Sequence, residues 1–435
     1  EIFQFLAKYF PFTATNPGVW RENLSEWGCP YQLIKQLCTF VDIVLTTHGY
    51  LIQPHLRKQL FRLTQADQAP ETKILLLDEV HGLASPAIIA ELPLESLYTA
   101  AQLYPTKELV ILAKKSRYPG LVRPLKNLHP EGVESFLNKS RKWEKLEYQS
   151  VVALYEFLRV QGDYWIFTED QLMQVNPYPE TIFQAFEGFH KVIGMSGTIK
   201  PLDQHVELFG ASRYFALEVP RALKNHFLAI ATELRFSTEH ENRTSKMIHD
   251  YAQAIQQLHA LNPKHTFVAY PSHDLKDQFT LHFDTKYVED QECVPTWLPE
   301  LQHRDHELIF AVMGGRLTEG VEILDPQTKQ SKITLVIVVG LPFPINNALT
   351  QVLMYLYTQR YSPEQAEQYL VYLPVLTKVL QTIGRGIRSP RDYSAAIILD
   401  HRAIQFPLGT HQKLYCQFDI LLKDLFSFYH CKRSD

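Results

Sequence analysis

The chain of 435 residues predicts an α/β protein with two parallel-sheet lobes and a largely helical insertion. Three observations carry that prediction. Short apolar runs ending on polar residues alternate with helical segments, the pattern of strands buried in an open sheet. Such runs lie both before and after a long stretch that lacks them. That stretch also changes composition: residues 107–147 hold ten Lys or Arg against five Glu and no Asp, in a chain of net charge −4.

Taken in order, "VDIVL" (41–45) and "KILLL" (73–77) read as buried strands. From 84 to 165 the runs turn helical, as in "ESFLNKSRKWEKLEYQSVVALYEFLRV". Strand character returns at "KVIGMSG" (191–197), followed by a helix over 244–260 and the strand "HTFVAY". "ELIFAVMGG" and "KITLVIVVGLPFP" are two further strands, the second ended by its prolines. "YLPVLTKVLQTIG" is a helix stopping near Gly384 or Gly386, and "SAAIILD" the last strand. The divisions are 1–83, 84–165, 166–210 and 211–435, the third returning to the first lobe.

Composition excludes several classes. An apolar fraction of 46% with 21% charged residues is that of a water-soluble globular protein. No run reaches 18 apolar residues, so no membrane span is expected, and the first ten residues lack the pattern of a signal peptide. Five cysteines without a CxxC pair argue against a disulfide framework and for a reducing compartment. Cys29 and Cys38 fall on one amphipathic stretch from Pro30, where core packing and metal ligation both stay open.

Four segments carry chemistry. In "KILLLDEVHG", Asp78 and Glu79 follow a strand directly, where open α/β sheets place ligands. A carboxylate there either holds Mg²⁺ beside substrate phosphates or caps a helix, while Glu79 suits the polarising of water and His81 a link to another segment. "GMSGTIKP" brings Ser196 and Thr198 to another strand end. "AVMGGRLTEGVEILD" sets Glu319, Gly320 and Glu322 in a Gly-rich loop, whose glycines permit positive φ or close approach to a phosphate. "VLQTIGRGIRSPRDY" places Arg385, Arg388 and Arg391 at i, i+3 and i+6, either a solvated basic turn or an anion site. Together these parts suit a nucleotide-driven machine with arginines arriving from the second lobe.

These segments resemble, in order, the motifs of the XPD/DinG-like (Rad3-related) branch of superfamily 2 DNA helicases. "LLLDEVH" is similar to the DEAH box with Val80 for Ala, and "GMSGTI" to motif III with Gly197 for Ala. "GGRLTEGVEI" resembles motif V with Glu322 where the family has Asp. "QTIGRGIRSPRDYSAAIILDHR" is a close motif VI, and "VVGLPFP" is family-typical. "CPYQLIKQLCTFVDIVLTTHGYLI" resembles the segment from the last iron–sulfur cysteine to the strand before the DEAH box. The resemblance spans residues 29–403.

It implies two RecA-like lobes, the first incomplete, with an Arch-like domain at 84–165 and a remnant of the iron–sulfur region before it. ATP and Mg²⁺ are the implied substrate and cofactor. Asp78 would hold Mg²⁺, Glu79 would activate water, His81 would link this site to another part, Gln381 would help couple the cleft to the nucleotide, and Arg385 and Arg388 would reach the phosphates. Ser196, Thr198, Glu319, Gly320 and Glu322 would line the nucleotide. Lys114, Lys115, Arg117 and Arg316 are candidate contacts to single-stranded or forked DNA, with Trp143, Tyr148 and Trp165 either stacking on bases or packing in a core. Repair or replication proteins are implied partners of a monomer, cytoplasmic and nucleoid-associated in a prokaryote or nuclear in a eukaryote.

Two departures shape the expectation. No Gly-Lys-Ser/Thr of a Walker A loop occurs, and Cys29 alone matches a cluster cysteine. The reading is therefore a 5′-to-3′ ATP-dependent DNA helicase of repair or replication, of which this chain is an inactive piece. A 4Fe–4S cluster is implied only for a longer parent. Alternatives are a non-hydrolysing module that binds single-stranded DNA or a repair partner, and an RNA helicase.

Overall fold

The computed structural model describes residues 38, 41–124, 127–139, 143–218, 226–239, 241, 243–290, 296–387, 389, 391–409 and 411–431. The chain divides into two compact units. One comprises Glu1–Asp78, Pro86–Tyr118 and Val122–Met195; the other comprises Glu79–Ser85, Pro119–Leu121 and Ser196–Asp435.

In the first unit, β1 (Ile74–Leu77) pairs in parallel with a late strand, as a later-returning segment of one lobe must. Between them run β2 (Ala87–Pro93), the short β3 (Gly120–Val122), β4 (Tyr164–Phe167) and β5 (Gln171–Asn176), before β6 (Lys191–Gly194) closes that pair. Strands β2, β5, β4 and β3, in that order, make a sheet whose β2–β5 and β4–β5 pairs are antiparallel. Helices Leu94–Leu103, Lys107–Lys115, Pro130–Leu137 and Lys145–Arg159 pack against it. Leu97, Leu112, Val133, Leu154, Phe157 and Trp165 share their core.

The insertion is largely helical, as expected, with an antiparallel sheet beside its four helices, and the expected division at 165/166 falls inside β4. The β4–β5 hairpin pairs with β2, so its apolar face goes to the insertion core and not to β1 and β6. Trp165 is buried there, edge-on to Phe157 at 5.2 Å. Trp143 packs edge-on to Phe136 at 5.4 Å, and Tyr148 stays exposed.

A second correction concerns 41–45, expected as a buried strand. It forms none, and Leu45 is 93% exposed. Apolarity creates a demand for burial but supplies no partner; among the described residues β1 pairs with β6 alone.

In the second unit, β7 (His226–Ala231), β8 (His265–Tyr270), β9 (Leu308–Val312), β10 (Ile333–Val339), β11 (Ser394–Leu399) and β12 (Lys413–Tyr415) form one sheet. Its order is β12-β7-β11-β10-β8-β9, and every pair is parallel. The sequence reading contains neither β7 nor β12. Alternate residues of β10 serve opposite faces, as strand geometry requires. Leu335, Ile337 and Val339 meet the helices Ser245–Leu261 and Phe418–Cys431, while Val336 and Val338 meet the helix Leu373–Ile383. The Thr244 hydroxyl caps the first of these helices by accepting from the Met247 N–H at 3.2 Å.

Candidate active site

The chain leaves β1 at Asp78, which is exposed, and enters a left-handed residue, Glu79, at φ 46°. This is uncommon for a side chain with a Cβ, and such strain persists where surroundings over-determine it. A short 3₁₀ turn, Val80–Leu83, follows, with Val80 and Leu83 buried beneath it. His81 lies on this turn with its side chain 9% exposed, whereas that of Glu79 is 56% exposed.

Three segments distant in sequence meet at His81. From the helix Leu373–Ile383, the Gln381 amide Nε2 lies 2.9 Å from His81 Nε2. With the Gln381 amide nitrogen facing it, that ring nitrogen accepts in the tautomer protonated on Nδ1, whose Nδ1 also lies 3.3 Å from Glu79 Oε2. Nδ1–H then donates to Ser196 Oγ at 2.7 Å. Ser196 in turn donates to Glu79 Oε2 at 2.9 Å and accepts from the Thr198 N–H at 3.0 Å. One donor and two acceptor positions are thereby used, the full capacity of a hydroxyl. The result is a directed relay: Gln381 to His81 to Ser196 to Glu79.

Further charges surround it. Glu319 is exposed at its tip, yet desolvation by its surroundings holds its carboxyl above the usual range. Lys378 and Arg385 pull it back down, while Glu79 and Glu289 push it up. The same helix supplies Lys378 one turn before Gln381, and its Cε lies 3.3 Å from where a Cβ on Gly314 would stand. Sequence reading missed Lys378, although its i, i+3 spacing to Gln381 was there to be used.

Other expected residues are placed differently. Arg385 is expected at the phosphates; here it is buried on the turn Gly384–Gly386 and Nη1 donates to the Val321 carbonyl at 3.2 Å. The helix ends at Ile383, and the turn that follows tucks Arg385 inward. Gly320 was read as permitting positive φ or close approach, but its φ is −139° and a Cβ there would meet nothing. Gly314, at φ 81°, is the residue of this loop that needs to be glycine for its backbone. Arg316 and Glu322 are exposed, as are Lys114, Lys115 and Arg117 at the end of the helix Lys107–Lys115. Arg388 and Cys29 lie outside the described residues.

The donor set bears on the implied groups. Among the described residues no group of three or more His, Cys, Asp or Glu is arranged to hold a metal ion. Asp78, a hard and exposed oxygen ligand at a strand end, fits a Mg²⁺ that takes its remaining ligands from substrate phosphates and water. The described cysteines do not assemble into a cluster site, and no step is derived through one. No helix among the described residues is long and apolar enough to cross a membrane.

The chain is similar to known proteins in sequence and in fold. A DEAD_2 family model matches residues 20–91, and a helicase C-terminal domain model matches residues 243–412. The chain is 21% identical to the ATP-dependent DNA helicase XPD of Sulfolobus acidocaldarius over 91% of its own length and 72% of that protein. It is 34% identical to the ATP-dependent DNA helicase chl1 of Schizosaccharomyces pombe over 22% of this chain and 11% of that one. A solved XPD helicase shares the fold with a TM-score of 0.68, at 18% identity, covering 93% of this chain and 79% of its own. Xpd4 of S. tokodaii does so at 0.59, with 15% identity over 85% and 81%. In its two family matches, in order along the chain, and its likeness to XPD over nearly its whole length, the chain is similar to the XPD/Rad3-like superfamily 2 helicases.

Proposed function

We propose that the full-length protein is an ATP-dependent DNA helicase that moves 5′ to 3′ on single-stranded DNA in repair or replication. The observation that carries this reading is the relay from Gln381 through His81 and Ser196 to Glu79. Glu79 is the base that orients and polarises the attacking water, and the Ser196 hydroxyl fixes its carboxylate. Mg²⁺, held through Asp78, would neutralise charge on the transferring phosphoryl group. His81 stays neutral and transmits displacement rather than protons: a shift of Gln381 turns the ring, moves Ser196 and re-aims Glu79. Arg388 supplies positive charge at the phosphates, and Arg385 braces the 319–321 loop through Val321.

Lys114, Lys115, Arg117 and Arg316 contribute phosphate contacts to DNA. Neutralising the first three should lower single-stranded DNA affinity and flatten its salt dependence. The deciding experiment is ATP hydrolysis by the full-length protein with and without single-stranded DNA, beside unwinding of forks with 5′ or 3′ tails. Absence of any hydrolysis ends the reading. In the same assay Gln381→Ala should remove about tenfold of the DNA stimulation while leaving DNA affinity intact; unchanged stimulation would remove the relay from the mechanism.

A further inference from the structure

Glu289 belongs to none of the motifs above, yet its side chain is enclosed at 2% exposure. The segment before it runs beside β9: Phe310 N–H donates to the Tyr287 carbonyl at 2.9 Å, and Glu289 N–H to the Phe310 carbonyl at 2.8 Å. This register carries the carboxylate under the loop that leaves β9. There Oε2 accepts from the Val312 N–H at 2.8 Å and Oε1 from the Leu317 N–H at 3.2 Å. Gly315 closes over it so tightly that a Cβ would stand 2.6 Å from Oε1 and 2.9 Å from Oε2. The loop also ties to itself, the Thr318 hydroxyl donating to the carbonyls of Val312 (3.1 Å) and Gly315 (2.8 Å). Lys276, buried as well, donates through Nζ to the Glu289 backbone carbonyl.

A Gly-rich loop whose N–H groups converge on one anion is how proteins cradle phosphate. Here the anion is internal. We infer that Glu289 fills the cradle of the 312–317 loop and is the positioning residue that presents Arg316 and Glu319 to the reaction. The N–H groups of Val312 and Leu317 are then spent on the protein, so the loop serves as a preset platform for side chains and not as a phosphate grip. Of the two uses open to the loop's glycines, Gly314 at φ 81° takes the positive φ. An aspartate in place of Glu289 is one methylene short and reaches one of the two N–H groups, and a glutamine turns an amide donor toward one of them.

The inference rests on the ATP-driven reading for its catalytic consequence but not for its geometry, so the test has both parts. In the full-length protein, Glu289→Gln should speed amide hydrogen exchange of the 312–317 segment by roughly tenfold or more while β10 and β11 stay protected. It should lower kcat for DNA-stimulated ATP hydrolysis about tenfold with KM for ATP within about twofold. Glu289→Asp should fall between Glu289→Gln and wild type in both readouts. Unchanged exchange at 312–317 overturns the inference, as does faster exchange spread over the whole sheet, which would make Glu289 an anchor of the core. Local exchange that rises without any change in kcat overturns its positioning role. A wild-type protein that hydrolyses no ATP would sink the helicase reading instead, leaving the exchange result to judge the loop.

Discussion

The β1–β6 pair and the six-stranded sheet are both parallel and both built from apolar runs, yet they do different work. In the larger sheet all seven residues of β10 are buried, each face covered by helices. In the pair, Ile74 and Leu76 are 57% and 61% exposed and only Leu77 is buried within β1. The residues proposed to carry the chemistry follow the poorly covered strands: Asp78 and Glu79 after β1, Ser196 and Thr198 after β6. Stability and reactivity are thus separated, because a charged carboxylate keeps its hydration only where it is not enclosed, whereas apolar strands stabilise only where they are. Four measurements probe that separation.

The largest effect belongs to the chemistry. Glu79→Gln keeps the shape and removes the proposed base, so turnover in the full-length protein should fall by about 10³-fold, within the usual range for a general base. Its melting temperature should hold, since the side chain is mostly exposed. A variant that hydrolyses normally, or one that unfolds, breaks the comparison.

Next comes the large sheet. Ile337→Ala empties a site enclosed by the two helices on its face and should cost about 3 kcal/mol in denaturant unfolding. A loss near zero would mean the sheet's cover is looser than the structure has it.

A smaller effect follows from His226, at the start of β7. Burial holds its pKa down at about 4, and its Nε2 has no hydrogen-bond partner among the described residues. The unfolded chain, titrating near 6.5, binds the proton more readily. Stability from this group is therefore complete above pH 6.5 and is lost as pH falls from there toward 4, by an amount on the order of 2 kcal/mol. His259 is also held at about 4 by burial and moves the same way. Unfolding measured from pH 7.5 to 4.5 should show the decline, and His226→Gln should make it shallower; an unaltered slope would clear His226. The smallest effect is that of Ile74→Ala, under about 0.5 kcal/mol in this chain, because more than half of the side chain already meets solvent. A loss as large as that of Ile337→Ala would show that the two sheets are buried alike.

The sequence by itself marked several of the runs that become strands and the segments proposed to carry chemistry. "KILLL", "HTFVAY" and "KITLVIVV" announce themselves by unbroken apolarity, and "LLLDEVH", "GMSGT" and "QTIGRGIR" by residue types that few other demands explain. Tertiary structure decided everything that depends on a partner. "VDIVL" is as apolar as a strand but pairs with none among the described residues, and β12 needed β7 as its template. Glu289 is one acid among many until β9 brings two N–H groups to it. Gln381 and His81, 300 residues apart, become one relay only when the helix that bears Gln381 packs. Arg385 turned inward because a carbonyl at Val321 was there to receive it. The physical reason is common to all of these. Apolarity and charge are properties of a residue and can be read along a chain, whereas a hydrogen bond or a covered face belongs to two residues at once, and the fold alone chooses the second.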